Sequence, residues 1–182
     1  MTIVDWTFFV PIITYSVILV CLWFIWPIMI GAIFIPTPHK IVERMLKIAE
    51  VKEDDILYDL GSGDGRIIIE AAEKYKVKTI GVEADPLRVF WSRAKIRSRD
   101  MHDRVKVIWG NFLQSDLSRA TVVTVYQGKG INRKLVKKLE KELKPGARVV
   151  SYIFSFDGWK PIKKEPDSKI FLYKIQEHQH EA

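Results

Sequence analysis

The chain opens on a long uncharged stretch and then changes character. From Trp6 to Pro38 no side chain carries a charge, a run longer than the roughly 20 apolar residues a helix needs to cross a bilayer. This predicts one N-terminal transmembrane helix near 12–34, with Pro11 near its start and Pro27 either kinking it or marking a second, interfacial piece. A cleaved signal peptide fits less well, because such peptides start basic and end at small residues, whereas Asp5 is the only charge before the run. Pro36-Thr37-Pro38 then separates this segment from the rest, with Thr37 expected as an N-cap and Pro38 as a first helical residue. Ile41, Val42, Met45, Leu46 and Ala49 recur at helical spacing and predict one buried face.

Beyond Lys52–Asp55 short apolar runs alternate with amphipathic ones. The pattern predicts strand 56–60, helix 66–75, strand 78–82, helix 86–99 and strand 105–109, then a short helix around 112–117. Strand 121–126, helix 132–143 and strand 148–154 follow. Such alternation implies parallel strands joined by crossover helices. Residues 159–162 and 169–175 lie too close together for a crossover and are expected as an antiparallel pair closing the sheet. The chain thus divides into an anchor over 1–35, a globular domain over 36–176 and a polar tail over 177–182.

Composition changes this picture only in places. A net charge of +7 fits nucleic acid, an anionic membrane surface or a well-solvated basic exterior, and does not choose among them. Lys40, Arg44 and Lys47 follow the apolar run, against Asp5 before it. The positive-inside bias therefore predicts a single-pass membrane protein with its large C-terminal part on the cytoplasmic side. Cys21 is the only cysteine, so no internal disulfide can form. His39 and His102 are isolated, His178 and His180 sit in the tail, and no metal site is expected. The basic residues Arg133, Lys134, Lys137, Lys138 and Lys141 read as a solvated helical face above Leu135, Val136, Leu139 and Leu143, so nucleic acid is not the expected partner.

The chemistry centres on Asp59-Leu60-Gly61-Ser62-Gly63-Asp64-Gly65, between a predicted strand and a predicted helix. Glycines there let the backbone take positive φ and approach a ligand, while the helix start presents unpaired N–H groups. The spacing is G-x-G-x-G, with Arg66 where a dinucleotide fingerprint has its third glycine, and this argues against NAD. Glu83, at the end of the second strand, can accept both hydroxyls of a ribose lacking a 2′-phosphate. Asn111 and Phe112, after the third strand, can offer an amide and a ring to an adenine. Three successive strand ends of a doubly wound sheet meet in one crevice.

These residues resemble the seven-strand S-adenosylmethionine-dependent methyltransferases, over roughly 37–175. The resemblance implies a Rossmann-like α/β sheet and S-adenosylmethionine as cofactor. It assigns Asp59, Gly61, Ser62, Gly63, Asp64 and Gly65 to the methionine part, Glu83 to the ribose, and Asn111 with Phe112 to the adenine. Pro36-Thr37-Pro38, Tyr58 to Ile67, Leu143 to Ser151 and Gly158-Trp159 together resemble a narrower family. This is the protein-lysine methyltransferases that include archaeal enzymes and the mitochondrial enzymes modifying the ATP synthase c-subunit and the adenine nucleotide translocase. Tyr126 matches that family's strand-end tyrosine, but Gln127-Gly128-Lys129 replaces its apolar continuation.

The expected activity is methyl transfer to a lysine of a protein partner, with a bilayer contact through 6–35. A neutral amine must be positioned within about 3 to 3.5 Å of the methyl group, and no dedicated base is required. Tyr126, and less centrally Thr37 and Asp116, are the expected catalytic, substrate-side residues. A lipid or quinone acceptor and a non-catalytic membrane module are the alternatives.

Overall fold

The computed structural model describes residues 7–29 and 35–176, with side chains for 7–22 and 35–176. Asp5, Trp6, residues 30–34 and the tail 177–182 lie outside the described residues, as do the side chains of Trp23 and Trp26. The chain divides into two compact units, Met1–Ile35 and Pro36–Ala182.

The first unit holds α1 (Phe9–Met29). Ile12, Ile13, Val17 and Leu19 are exposed around it. Thr14 and Ser16 turn their hydroxyls back onto the carbonyls of Val10 and Ile12, each at 2.8 Å. Among the described residues no helix is long and apolar enough to cross a membrane. The expected transmembrane helix is corrected on this ground, and the single-pass placement with the catalytic domain on the cytoplasmic side falls with it. An uncharged run measures length along the sequence, whereas a span needs that length in one apolar helix.

The second unit begins with α2 (His39–Ile48), which buries Val42, Met45, Leu46 and Ile48 on one face. Pro38 precedes its first turn and no side chain caps it, so Thr37 is not the expected cap. Thr37 is buried instead, and its carbonyl accepts from Arg66 Nη1 at 2.9 Å. The alternating elements follow: β1 (Ile56–Leu60), α3 (Arg66–Tyr75), β2 (Lys78–Glu83), α4 (Pro86–Ser98), β3 (Val105–Trp109), β4 (Val122–Val125), α5 (Lys129–Glu142), β5 (Arg148–Tyr152), β6 (Lys163–Glu165) and β7 (Ile170–Lys174).

These strands form one seven-stranded sheet in the order β3-β2-β1-β4-β5-β7-β6. The pairs from β3 through β5 are parallel, and β7 runs antiparallel to both β5 and β6. The doubly wound sheet and its terminal antiparallel pair are thus as the sequence predicts. Among the local differences, three stand out. Residues 112–117 form turns rather than a short helix. The edge strand lies at 163–165 rather than 159–162, because Trp159 packs its ring on Phe156 and Tyr173, at 5.0 and 5.5 Å between centroids. The third difference, the early end of β5 at Tyr152, bears on the site.

Alternation along the strands gives each face its own core. Leu57, Val122 and Val150 pack with α2 and α3 residues such as Met45, Leu46 and Ile68. Tyr58, Leu60, Val123, Val125 and Val149 pack with Leu135 and Leu139 of α5. At the amino ends of the strands Arg148 closes the base of the domain. It ion-pairs with Asp55 and donates to the carbonyls of Ala49 and Glu50, each at 2.7 Å. The chain winds outward in both directions from β1 and β4, so the switch point lies between them, where open α/β sheets hold ligands beyond the carboxyl ends.

Candidate active site

Register aligns the carboxyl ends into one transverse row. Trp109 pairs with Glu83, and Leu60 pairs with both Val82 and Val125, while Val125 pairs with Ser151. One step further along each strand therefore sets Glu83, Gly61, Tyr126 and Tyr152 side by side on four adjacent strands. Neighbouring strands lie about 4.8 Å apart, so Gly61 and Tyr126 flank the switch point at a single strand spacing.

On the β1–β2 side the loop is held from several directions. Gly61, Gly63 and Gly65 take φ of 84°, 54° and 80°, left-handed values that glycine adopts without strain. The Glu83 carboxylate is buried and accepts from Gly63 N–H at 2.7 Å and Asp85 N–H at 2.9 Å. Ser92 Oγ donates to the Gly63 carbonyl at 2.9 Å. A Cβ at Gly61 would lie 2.3 Å from Gln127 Nε2 and 4.0 Å from Phe112 Cε1, so the loop is packed against two other strand ends. Gln127 Nε2 donates to Leu60 O at 3.0 Å.

The predicted residues divide by what they touch. Asp59 is 3% exposed and accepts from Thr124 Oγ1 at 2.7 Å. Burial pushes its carboxyl up to about 7, against the lowering effect of the Thr124 hydrogen bond and with further upward contributions from Glu83 and Asp64. Asp64 is engaged by Arg66 and Lys95. Burial alone would raise it, but those hydrogen bonds and charges bring it down to about 2. Ser62 packs against Gly81, where a Cβ would lie 2.5 Å from its hydroxyl; that hydroxyl is buried and has no hydrogen-bond partner among the described residues. Asn111 Oδ1 accepts from Leu113 N–H at 2.9 Å and so closes its own turn. Phe112 reaches the Gly61 loop.

On the β4–β5 side Tyr126 is half-buried, and its ring lies 4.7 Å from that of Tyr152, tilted at 58°. Burial raises the Tyr126 hydroxyl above its ordinary value, with Tyr152 adding to the effect. After Tyr152 the chain turns at once: Phe154 N–H donates to Tyr152 O at 2.8 Å, with Ile153 between them at φ 67°. This γ-turn with a positive central φ is the rarer, strained form. A β-branched residue there is a genuine outlier, costing on the order of 1–3 kcal/mol, that persists only when its surroundings over-determine it. They do: Ile153 N–H donates to Lys169 O at 2.8 Å, and Phe154 O accepts from Ser151 Oγ and from Asn132 Nδ2. This is why β5 stops early.

Thr37 stands near this crevice through Arg66, which bridges its carbonyl to Asp64. Asp116 is exposed and accepts from Ser118 N–H at 2.9 Å, which lowers its carboxyl. Its neighbours Ser118 and Arg119 line a groove at the amino ends of β1, β4 and β5, away from the glycine loop. Gln127, Tyr152 and Asn132 are absent from the residues predicted as the site. Gln127 carried a signal as the break in an apolar continuation, whereas Tyr152 and Asn132 carried none beyond strand and helix composition.

Two buried carboxylates, a left-handed glycine loop and a nearby ring suit a cationic, hydroxyl-bearing adenosine ligand, and the same loop spacing has no place for a dinucleotide. Fold and site together define an S-adenosylmethionine-dependent methyltransferase. The chain belongs to the ANTKMT methyltransferase domain family, whose family model matches residues 59–163. It is 48% identical over 152 residues to a protein-lysine N-methyltransferase of Saccharolobus islandicus, covering 80% of this chain and 94% of that protein. A lysine N-methyltransferase of the ATP synthase c-subunit from Homo sapiens is 32% identical over 128 residues; the match spans 70% of this chain and only 54% of that relative. Among solved structures, an RNA methyltransferase from Salinibacter ruber in complex with S-adenosyl-L-homocysteine superposes with a TM-score of 0.77 at 39% identity. It covers 81% of this chain and 98% of that one.

Proposed function

We propose that residues 36–176 form a protein-lysine N-methyltransferase domain. The observation that carries this is the adjacency of Tyr126 to the glycine loop across the switch point, in a chain so similar to the Saccharolobus enzyme. Asp59, the loop 61–65, Glu83, Asn111 and Phe112 would hold S-adenosylmethionine, through side chains at Asp59, Glu83 and Phe112 and through backbone at the glycines. When bound, that group supplies an electrophilic methyl on a sulfonium cation. Glu83 fixes the loop that would receive it, and Asp59, once a cationic ligand favours its ionised form, would supply a compensating negative charge. On the other side Tyr126 offers its hydroxyl to the amine; Thr37 reaches the site only through Arg66 and Asp64, and Asp116, beside the groove at the amino ends of the strands, stands apart from it. Desolvation among rings favours the neutral amine, whose ordinary pKa is about 10.4.

Incubating the protein with labelled S-adenosylmethionine and extract of its source cells tests this. Label should survive nuclease, be lost with protease, and appear as methyl-lysine after acid hydrolysis. A second reading, methylation of RNA, is favoured by the Salinibacter neighbour and by Lys134, Lys137 and Lys141 on the exposed face of α5. Nuclease-sensitive label would establish it over the first.

A further inference from the structure

Tyr152 lies outside every residue predicted for the site, yet the fold goes to some length to place it. It ends β5 in the same row as Gly61, two strands away, and its partner in that row is Tyr126. Its ring packs on one side against the α2–α3 core and on the other against Tyr126. Both rings are half-buried, leaving part of each open. The chain then bends through the strained turn at Ile153, tied down by Lys169, Ser151 and Asn132. Asn132 is 1% exposed, and while its Nδ2 holds that turn its Oδ1 has no hydrogen-bond partner among the described residues. A straight continuation of β5 would carry the next residues past the sheet. The turn stops the strand at the level where Tyr152 meets Tyr126.

We propose that Tyr152 is a specificity-determining residue of the acceptor channel, forming with Tyr126 an aromatic wall that grips the methylene stem and nitrogen of the incoming lysine. This rests on the reading of the protein as a lysine methyltransferase. A lysine side chain is suited to such a wall at both ends. Its four-carbon stem loses water against ring carbons, and its nitrogen, whenever charged, is attracted to ring faces. Each methyl group added leaves a cation that is larger and less hydrated, which the rings hold while the water shell weakens. The wall therefore acts on acceptor binding and product state, while the carboxylates and glycines two strands away act on the cofactor. Asn132 and the Ile153 turn act through Tyr152, as positioning residues.

The test compares the intact protein with Tyr152→Leu and Tyr152→Phe, using source-cell extract as acceptor in a dilution series and calorimetry with S-adenosylhomocysteine. Tyr152→Leu should raise the extract concentration for half-maximal lysine methylation about fivefold to tenfold. Its S-adenosylhomocysteine Kd should stay within about twofold, which also reports that the variant is folded. Tyr152→Phe restores the ring and should recover most of the lost affinity. The share of dimethyl- and trimethyl-lysine in the hydrolysate should fall in Tyr152→Leu and return in Tyr152→Phe. Unchanged half-saturation and unchanged methyl distribution in Tyr152→Leu, with methyl-lysine plainly formed by the wild type, would overturn the proposal while leaving the lysine reading intact. Failure of the wild type itself to form methyl-lysine would remove the lysine reading, and this proposal with it.

Discussion

The two banks of the crevice are built by opposite means. On the β1–β2 bank, left-handed backbone is given to Gly61, Gly63 and Gly65, and the buried Glu83 carboxylate accepts from two N–H groups of neighbouring turns. On the β4–β5 bank, left-handed backbone falls on Ile153, and the chain is forced into it by the hydrogen bond from Ile153 N–H to Lys169 O and by those that Ser151 and Asn132 donate to Phe154 O. One bank is relaxed and polar, and the other is strained and aromatic. The difference fits the tasks assigned to them. A cofactor common to a whole enzyme class can be met by an unstrained backbone cradle, whereas an acceptor particular to one enzyme is met by side chains that have to be aimed.

The contrast is tested hardest at Glu83. Glu83→Ala leaves the buried N–H groups of Gly63 and Asp85 without acceptors, each at about 1–3 kcal/mol. S-adenosylhomocysteine affinity should fall about a hundredfold or more by calorimetry, together with the melting temperature. Tyr126→Phe should leave that affinity within about twofold and lower kcat for lysine methylation about tenfold. If Tyr126→Phe instead weakens S-adenosylhomocysteine as Glu83→Ala does, the two banks are not separate in function.

Asp59 marks the polar bank by its pH dependence. Its carboxyl is raised from 3.8 to about 7 in the folded protein, so between those values the unfolded chain has released a proton that the folded one still holds. Its contribution to stability is full below about pH 4 and is lost as pH rises through 7. Asp59→Asn removes this loss, so its melting temperature relative to wild type should climb between pH 5 and pH 8. A ligand carrying an ammonium group beside Asp59 favours the ionised form. S-adenosylhomocysteine binding to the wild type should therefore release a proton near pH 6.5 and tighten with rising pH, seen as buffer-dependent heats that vanish in Asp59→Asn.

How far each bank is legible in the sequence follows from how it is made. Glycine spacing, an acidic residue at a strand end and the alternation of Ile56–Leu60 with Arg66–Tyr75 are local signals, and the β1–β2 bank is made of them. The β4–β5 bank depends on where Val125 meets Ser151 and on Asn132 reaching Phe154 across 22 positions. Tyr152 in sequence is one more strand aromatic, and nothing local marks Ile153 as left-handed. The N-terminal run misleads for another reason, since a long absence of charge reads as a span that no described helix provides. Asn111, read as an adenine contact, also closes its own turn, which short polar side chains do wherever a loop offers the geometry.

The smallest effect to look for is also the most direct contrast between the banks, because it exchanges their backbone solutions. Gly61→Ala puts a Cβ at φ 84° and 2.3 Å from Gln127 Nε2, the movable end of a long side chain, and should cost about 1–2 kcal/mol, mainly from left-handed strain. Ile153→Gly does the reverse. It loses the packing of a half-buried side chain but releases on the order of 1–3 kcal/mol of strain, so the two nearly cancel and denaturant stability should stay within about 1 kcal/mol of wild type. Activity should not follow stability, because a glycine at 153 no longer needs the single conformation that points Tyr152 at Tyr126, and half-saturation by acceptor should rise about threefold with S-adenosylhomocysteine affinity unchanged. A large loss of stability in Ile153→Gly would mean that the turn is held by the isoleucine itself, and that the strained bank is a feature of packing rather than of aim.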